Sequence, residues 1–335
     1  MCARLGSPFE QMGGTPVTGY VFRKIGQALV VILLVTFLSF LLINIIPGDA
    51  VALMLGVDAT PEKAAELRAE LYLDRPFIEQ YARWLWDVVR GDLGTSISYH
   101  LPVTQVLGPR MTASFQMGLA ALILSTLLGL IMGCVAAVNR GRAADNLISV
   151  LANIGISMPS FWLGIVMIYL FAMNLKWLPV QGYTPFGENP ALHMRQMIMP
   201  VIVTAMGGMA SLARQTRSSI LETISLDFVR TARSKGLREK SILIRHVMRN
   251  ALIPILTLLG MQIRVLFGGV VLVENIFNVP GMGNLLVSSV NNRDIPMVQA
   301  CVLVMAVVVV IANLLVDIAY GVVDPRIRQE RGHNA

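Results

Sequence analysis

The chain has 335 residues, of which 55% are hydrophobic and 14% charged, the latter roughly half the globular norm of about 25%. With a mean hydropathy of +0.66, this composition argues against both a soluble domain and a disordered chain, and for a polytopic membrane protein. The net charge of +7 then reads as basic loops that set orientation, and no nucleic-acid partner is expected.

Residues 1–24 form a Gly-containing tail, followed by six apolar stretches at 25–46, 117–138, 148–173, 197–213, 252–276 and 297–323. A span of about 20 apolar residues crosses the hydrocarbon core, so six transmembrane helices in an all-α fold are expected. Ala50-Val51-Ala52 resembles a small-residue cleavage site. The preceding apolar run exceeds the 7–15 residues of a signal peptide, which predicts an uncleaved anchor. With the N-terminus inside, the cytoplasmic segments 1–24, 139–147, 214–251 and 324–335 carry 17 Lys and Arg, against 9 in the outer segments. Both termini are therefore expected in the cytoplasm.

Two loops exceed ordinary connectors. In the outer loop, 47–116, Thr60-Pro61-Glu62 has the form of a helix start. Leu67, Leu71, Phe77, Ile78, Tyr81, Trp84, Leu85 and Val88 then recur at roughly helical spacing. A small extracytoplasmic helical substructure is predicted, with Tyr72, Phe77, Tyr81, Trp84 and Trp86 serving packing and interfacial anchoring. In the cytoplasmic loop, 214–251, apolar residues at 220, 221, 224, 228 and 229, then 237, 242, 244, 247 and 248, make two amphipathic stretches. Gly236 lies between them, giving a helix, a turn and a second helix. The exposed face of such an element requires a partner: a protein, or anionic lipid.

Arg264, Glu274 and Asp317 are the charges inside predicted spans. An unpaired Arg at the middle of a bilayer costs about 2.5–3.5 kcal/mol on insertion scales, so it faces a cavity or a partner. All three are candidates for a translocation path; Arg264 either lines it or pairs with Asp317, Glu274 or another chain. For Glu274 local hydrogen bonding around the Asn275–Gly283 turn is favoured, and for Asp317 packing or gating. Cys2, Cys134 and Cys301 are too scattered for a disulfide framework or zinc site, and His100, His193, His246 and His333 are isolated. No H-E-x-x-H, G-x-S-x-G or G-x-x-x-x-G-K-[ST] motif occurs, so no catalytic site, metal site or nucleotide cradle is expected on this chain.

Arg230-Thr231-Ala232 followed by Gly236, then His246, Arg249, Asn250, Ala251 and Pro254, resemble the loop of the membrane subunits of bacterial ATP-binding cassette importers. Arg230 and Thr231 stand where many such loops have Glu-Ala. The resemblance is narrower still to the dipeptide, oligopeptide and nickel permeases, and extends from about residue 20 onwards. It is carried by Pro47-Gly48-Asp49, Leu73-Asp74-Arg75-Pro76, Gly91-Asp92-Leu93-Gly94-Thr95-Ser96, Ser157-Met158-Pro159-Ser160-Phe161-Trp162, Leu178-Pro179, Glu274-Asn275-Ile276-Phe277, Pro280-Gly281-Met282-Gly283, Arg293-Asp294-Ile295-Pro296 and Asp324-Pro325-Arg326-Ile327-Arg328, in that order.

The resemblance implies a type I importer permease of the bacterial inner membrane, with residues 117–323 as its five-helix core. It implies pairing with a second permease and two ATPase subunits that bind ATP and Mg²⁺, and delivery by an extracytoplasmic binding protein. Arg230, Thr231, Ala232, Ser234, Lys235, Gly236 and Leu237 would form the element that docks on an ATPase. Peptides are the expected cargo, nickel or a metal–chelator complex is the alternative within the family, and an ion-coupled secondary transporter is the alternative outside it.

Overall fold

A computed structural model describes residues 17–45, 60–62, 65 and 74–323. The side chains of 17–22, 42–45, 253, 264–269 and 317–323 lie outside that description, as do the predicted positions Leu67, Leu71 and Tyr72.

The order is α1 (Val17–Ile45), α2 (Phe77–Val89), α3 (Val103–Val138), α4 (Ala143–Ser157), α5 (Ser160–Met167), α6 (Pro190–Ile224), α7 (Asp227–Ser234), α8 (Met248–Gly269), α9 (Val271–Ile276), α10 (Met282–Asn291) and α11 (Ile295–Val323). Wider π turns extend α5 over Ile168–Asn174 and precede α8 over Ile242–Val247. Among the described residues the only β pairing is an isolated bridge between Thr95 and Pro102.

Among the described residues, four helices are continuous, long and apolar enough to cross a membrane: α1, α3, α6 and α11. Two further candidates are bent pairs, 143–174 with a bend of 107° and 239–263 with a bend of 49°. The third predicted span, which contains Pro159 and was expected to be broken there, is two helices, α4 and α5. Pro159 lacks an N–H and biases its predecessor away from helix; Met158 accordingly takes φ −81°, ψ 123° and ends α4. The fourth span was expected to be short, at 197–213, but α6 runs for 35 residues to Ile224. Its start is set by Asn189, whose side chain accepts from Leu192 N at 3.1 Å, and by Pro190 in the first turn. Arg214 and Arg217 do not end it, because an arginine with an aqueous or ionic partner interrupts hydropathy without interrupting helix. The first turns of the predicted cytoplasmic loop therefore belong to α6.

The core is the α3–α6 pair, the most extensive helix contact. On α3, Ala113, Met117, Ala121, Ser125, Gly129, Gly133 and Ala137 recur every fourth residue and all are buried, making a single ridge of mostly small side chains. Such ridges let membrane helices approach closely, and packing is what holds helices together in lipid. A Cβ added at Gly129 would stand 2.8 Å from Leu212 Cβ, and at Gly133 2.5 Å from Thr216 Cβ. Around this pair, α4 and α8 lie against α6, while α1 lies along α11. α2 is clamped across α1 by Phe37, Phe40, Phe77, Tyr81 and Trp84 in edge-on and tilted ring contacts. Tyr81 Oη also lies 2.9 Å from Thr36 Oγ1. These aromatics pack, whereas Trp86 faces outward with the Arg90 guanidinium 4.7 Å above its ring.

Candidate functional site

α6 stops at Ile224 and Leu226 turns extended before α7. α7 has Asp227 in its first turn and Arg233 in its last, the arrangement the helix dipole favours. Gly236 has φ +72°, a left-handed conformation that costs a side-chain-bearing residue about 1 kcal/mol or more. It lets Gly236 N–H reach Arg233 O and Leu237 N–H reach Ala232 O, capping the helix. Across the turn, Arg233 Nε donates to Glu239 Oε1 at 2.8 Å and Nη2 to Oε2 at 3.3 Å. These hydrogen bonds raise the Arg233 pKa further above its usual range.

α7 is two-faced. Val229 and Ala232 are buried in a cluster with Ala137, Ile220, Ile242 and Val247, which seats the helix on α3, α6 and the π turn. Leu226, Phe228 and Leu237 are exposed, as are Arg230, Thr231, Ser234, Lys235, Arg238 and Lys240. Of the residues expected to dock on a partner, six face outward and Ala232 faces in, where it seats the element. Thr231 Oγ1 and Ser234 Oγ donate to backbone carbonyls one turn back, at 3.0 and 3.1 Å.

One inner contact escaped the sequence reading. Asp145, at the start of α4 and buried, accepts Arg217 Nε at 2.5 Å, Arg217 Nη2 at 2.8 Å and Gly141 N at 2.9 Å. This two-pronged ion pair ties the 139–142 turn and α4 to α6. Both residues counted only as loop charge in the sequence, where 72 positions separate them.

Above the loop, a cavity of about 370 Å³ opens between α3, α4, α5, α6, α8 and α9, and its lining includes Ser125, Ser160, Thr204, Ser211 and Gln262. Glu274 does not line it. Its buried carboxylate accepts Ser114 Oγ at 2.5 Å and Asn284 N at 2.9 Å, and Ser114 Oγ in turn accepts Met282 N at 2.8 Å. A Cβ on Gly281 would stand 2.1 Å from Glu274 Oε1, so the turn has room for glycine alone. The carboxylate fastens the α9–α10 turn to α3. Arg264 and Asp317 lie in α8 and α11, with side chains outside the description.

A second node gathers on Asp294. Buried Asp294 accepts Ser96 Oγ at 2.5 Å, Ser98 N at 3.0 Å, Ile97 N at 3.2 Å and Met297 N at 3.3 Å. It joins two motifs nearly 200 positions apart, the glycine-rich turn at 91–96 and the entry to α11.

A bundle of apolar helices around a cavity, with a capped, two-faced short helix at one end, suits a membrane permease. Residues 101–329 match the family described as binding-protein-dependent transport system inner membrane component, and residues 17–118 match its N-terminal counterpart. The chain belongs to this family; it is a multi-pass inner-membrane permease and not the ATPase of its system. It is 41% identical over 314 residues to a putative peptide transport system permease protein of Brucella abortus (strain 2308), covering 94% of this chain and 100% of that one. It is 37% identical over 336 residues to the dipeptide transport system permease protein DppB of Escherichia coli (strain K12), covering 93% and 99%. A solved structure of the MetNI methionine ABC transporter, in inward-facing conformations, matches with a TM-score of 0.50 at 18% identity over 68% of this chain and 96% of that chain; that likeness concerns the fold.

Proposed function

We propose that this chain is one half of the membrane pathway of an ATP-driven importer that moves short peptides into the cytoplasm by alternating access. The relatives' names support peptides over nickel, and the family assignment leaves no place for the ion-coupled alternative. The observation that carries the mechanism is α7: seated by Val229 and Ala232 and presenting a basic and apolar outer face, it suits a cleft on an ATPase subunit.

In this reading both termini are cytoplasmic. The proposed divisions are a tail at 1–24, a first span at 25–46, an outer helical loop at 47–116, the core at 117–323 and a tail at 324–335. A second permease completes the pathway, an extracytoplasmic binding protein delivers the cargo, and ATP and Mg²⁺ bind to two ATPase partners. Closure of those partners pushes on Arg230, Thr231, Ser234, Lys235 and Leu237, and the Arg233–Glu239 contact keeps the turn stiff enough to pass the displacement to α6 and α8. Coupling of this kind requires contacts that differ between two states.

Membrane vesicles holding the assembled transporter test the reading. Peptide uptake should require ATP and the binding protein, stop with vanadate and survive an ionophore. Uptake abolished by the ionophore, with ATP irrelevant, would refute it.

A further inference from the structure

We propose that the 370 Å³ chamber receives the main chain of the peptide and reads it through uncharged hydrogen-bonding groups, with Gln262 of α8 and Thr204 of α6 as its contacts. The inference rests on the peptide reading above. The volume lies in the range of small-molecule sites, about 300–1,000 Å³.

Gln262 Nε2 donates to Gly208 O at 2.6 Å, which fixes the orientation of the amide and leaves Oε1 with no partner among the described residues. Thr204 Oγ1 is likewise buried and unpartnered among the described residues. Positions 204 and 208 are one helical turn apart on the same face of α6, so the two unmet groups stand on facing helices at one level of the chamber. Buried polar groups are normally paired, and two unmet ones bordering a single cavity mark a place where a ligand completes the bonding. The main chain of one peptide residue supplies both halves, an N–H for the Gln262 oxygen and a C=O for the Thr204 hydroxyl.

The rest of the lining fits a passage indifferent to side chains. Met158, Met206 and Met261 border it, and methionine is unbranched, polarizable and able to repack around different shapes. Every described side chain of the lining is neutral. Cargo side-chain charge is therefore not selected at this level, and placing a carboxylate here should create a selectivity that the unmodified chamber lacks.

The test is uptake of Ala-Lys-Ala and Ala-Glu-Ala at pH 8 by the complete transporter in vesicles. The ratio of the two rates is divided by that of the unmodified transporter, which cancels any preference of the binding protein. Gln262→Glu should shift the ratio towards the Lys peptide by about tenfold, the effect of ~1.4 kcal/mol of charge interaction. Ser211→Asp, on the same wall, should shift it in the same direction, and Gln262→Leu should slow both peptides equally. An unchanged ratio in both carboxylate variants at normal membrane levels overturns the inference while leaving peptide import standing. Absence of uptake of either peptide by the unmodified transporter overturns the peptide reading and this inference with it.

Discussion

Replacing Gly133 by Ala is the most direct probe of how the core is held. The new methyl would lie 2.5 Å from Thr216 Cβ and 2.6 Å from Ala213 O. Carbon–carbon contacts settle at about 3.5–4.0 Å, so α3 and α6 must part by roughly 1 Å at this level, and a gap of about that size forfeits a quarter to a half of each contact it opens. Gly129 lies one turn away on the same ridge, so the opening extends along the interface. Overpacking of this kind costs about 1–3 kcal/mol, and lipid supplies no hydrophobic force to close the gap; we expect the upper end, ~3 kcal/mol. Gly118, buried on the same helix with nothing within 4 Å of an added Cβ, is the control. Gly118→Ala should be neutral or stabilising by about 0.5–1 kcal/mol through helix propensity. Thermal or denaturant unfolding of the purified protein in detergent measures both. Equal stability of the two variants would refute the claim that the small-residue ridge sets the helix spacing.

Two further outcomes follow from the buried carboxylates. Asp145→Ala leaves the half-buried Arg217 without its two-pronged acceptor and should destabilise by about 1–3 kcal/mol; Arg217→Lys, having no planar fork, should keep little of the pair's stabilisation. Denaturant unfolding reads both. Glu274→Leu strands the Ser114 hydroxyl and the Asn284 N–H, for a loss of about 1–3 kcal/mol. Ser114→Ala in the Glu274→Leu background should then cost much less than in the unmodified protein, a coupling that a double-mutant cycle measures.

Much of the architecture was legible in the sequence because lipid imposes a simple rule: apolar length reports a span. The rule failed where chemistry other than hydropathy decided. Hydropathy alone runs through 148–173, where Pro159 marks the break, and Arg214 and Arg217 suggested an ending that α6 does not make. Gly236 was readable as a turn because only its conformational freedom suits that position. The ridge from Ala113 to Ala137 was equally readable, as small residues at every fourth position, and the span count passed over it. Asp145–Arg217 and Ser96–Asp294 could not be read, since each joins residues whose proximity exists only in the folded bundle. The chamber is likewise a property of packing: no local pattern announces that Thr204 and Gln262 share it.

The central claim, that the loop around Gly236 transmits the work of an ATPase to the spans, is tested by Gly236→Pro. Proline cannot adopt φ +72°, so the cap of α7 is lost while Val229 and Ala232 remain available to seat the helix. ATP hydrolysis and peptide uptake are measured together on the assembled transporter. The account predicts normal membrane insertion, retained hydrolysis and uptake reduced at least tenfold; full uptake at normal expression would contradict it.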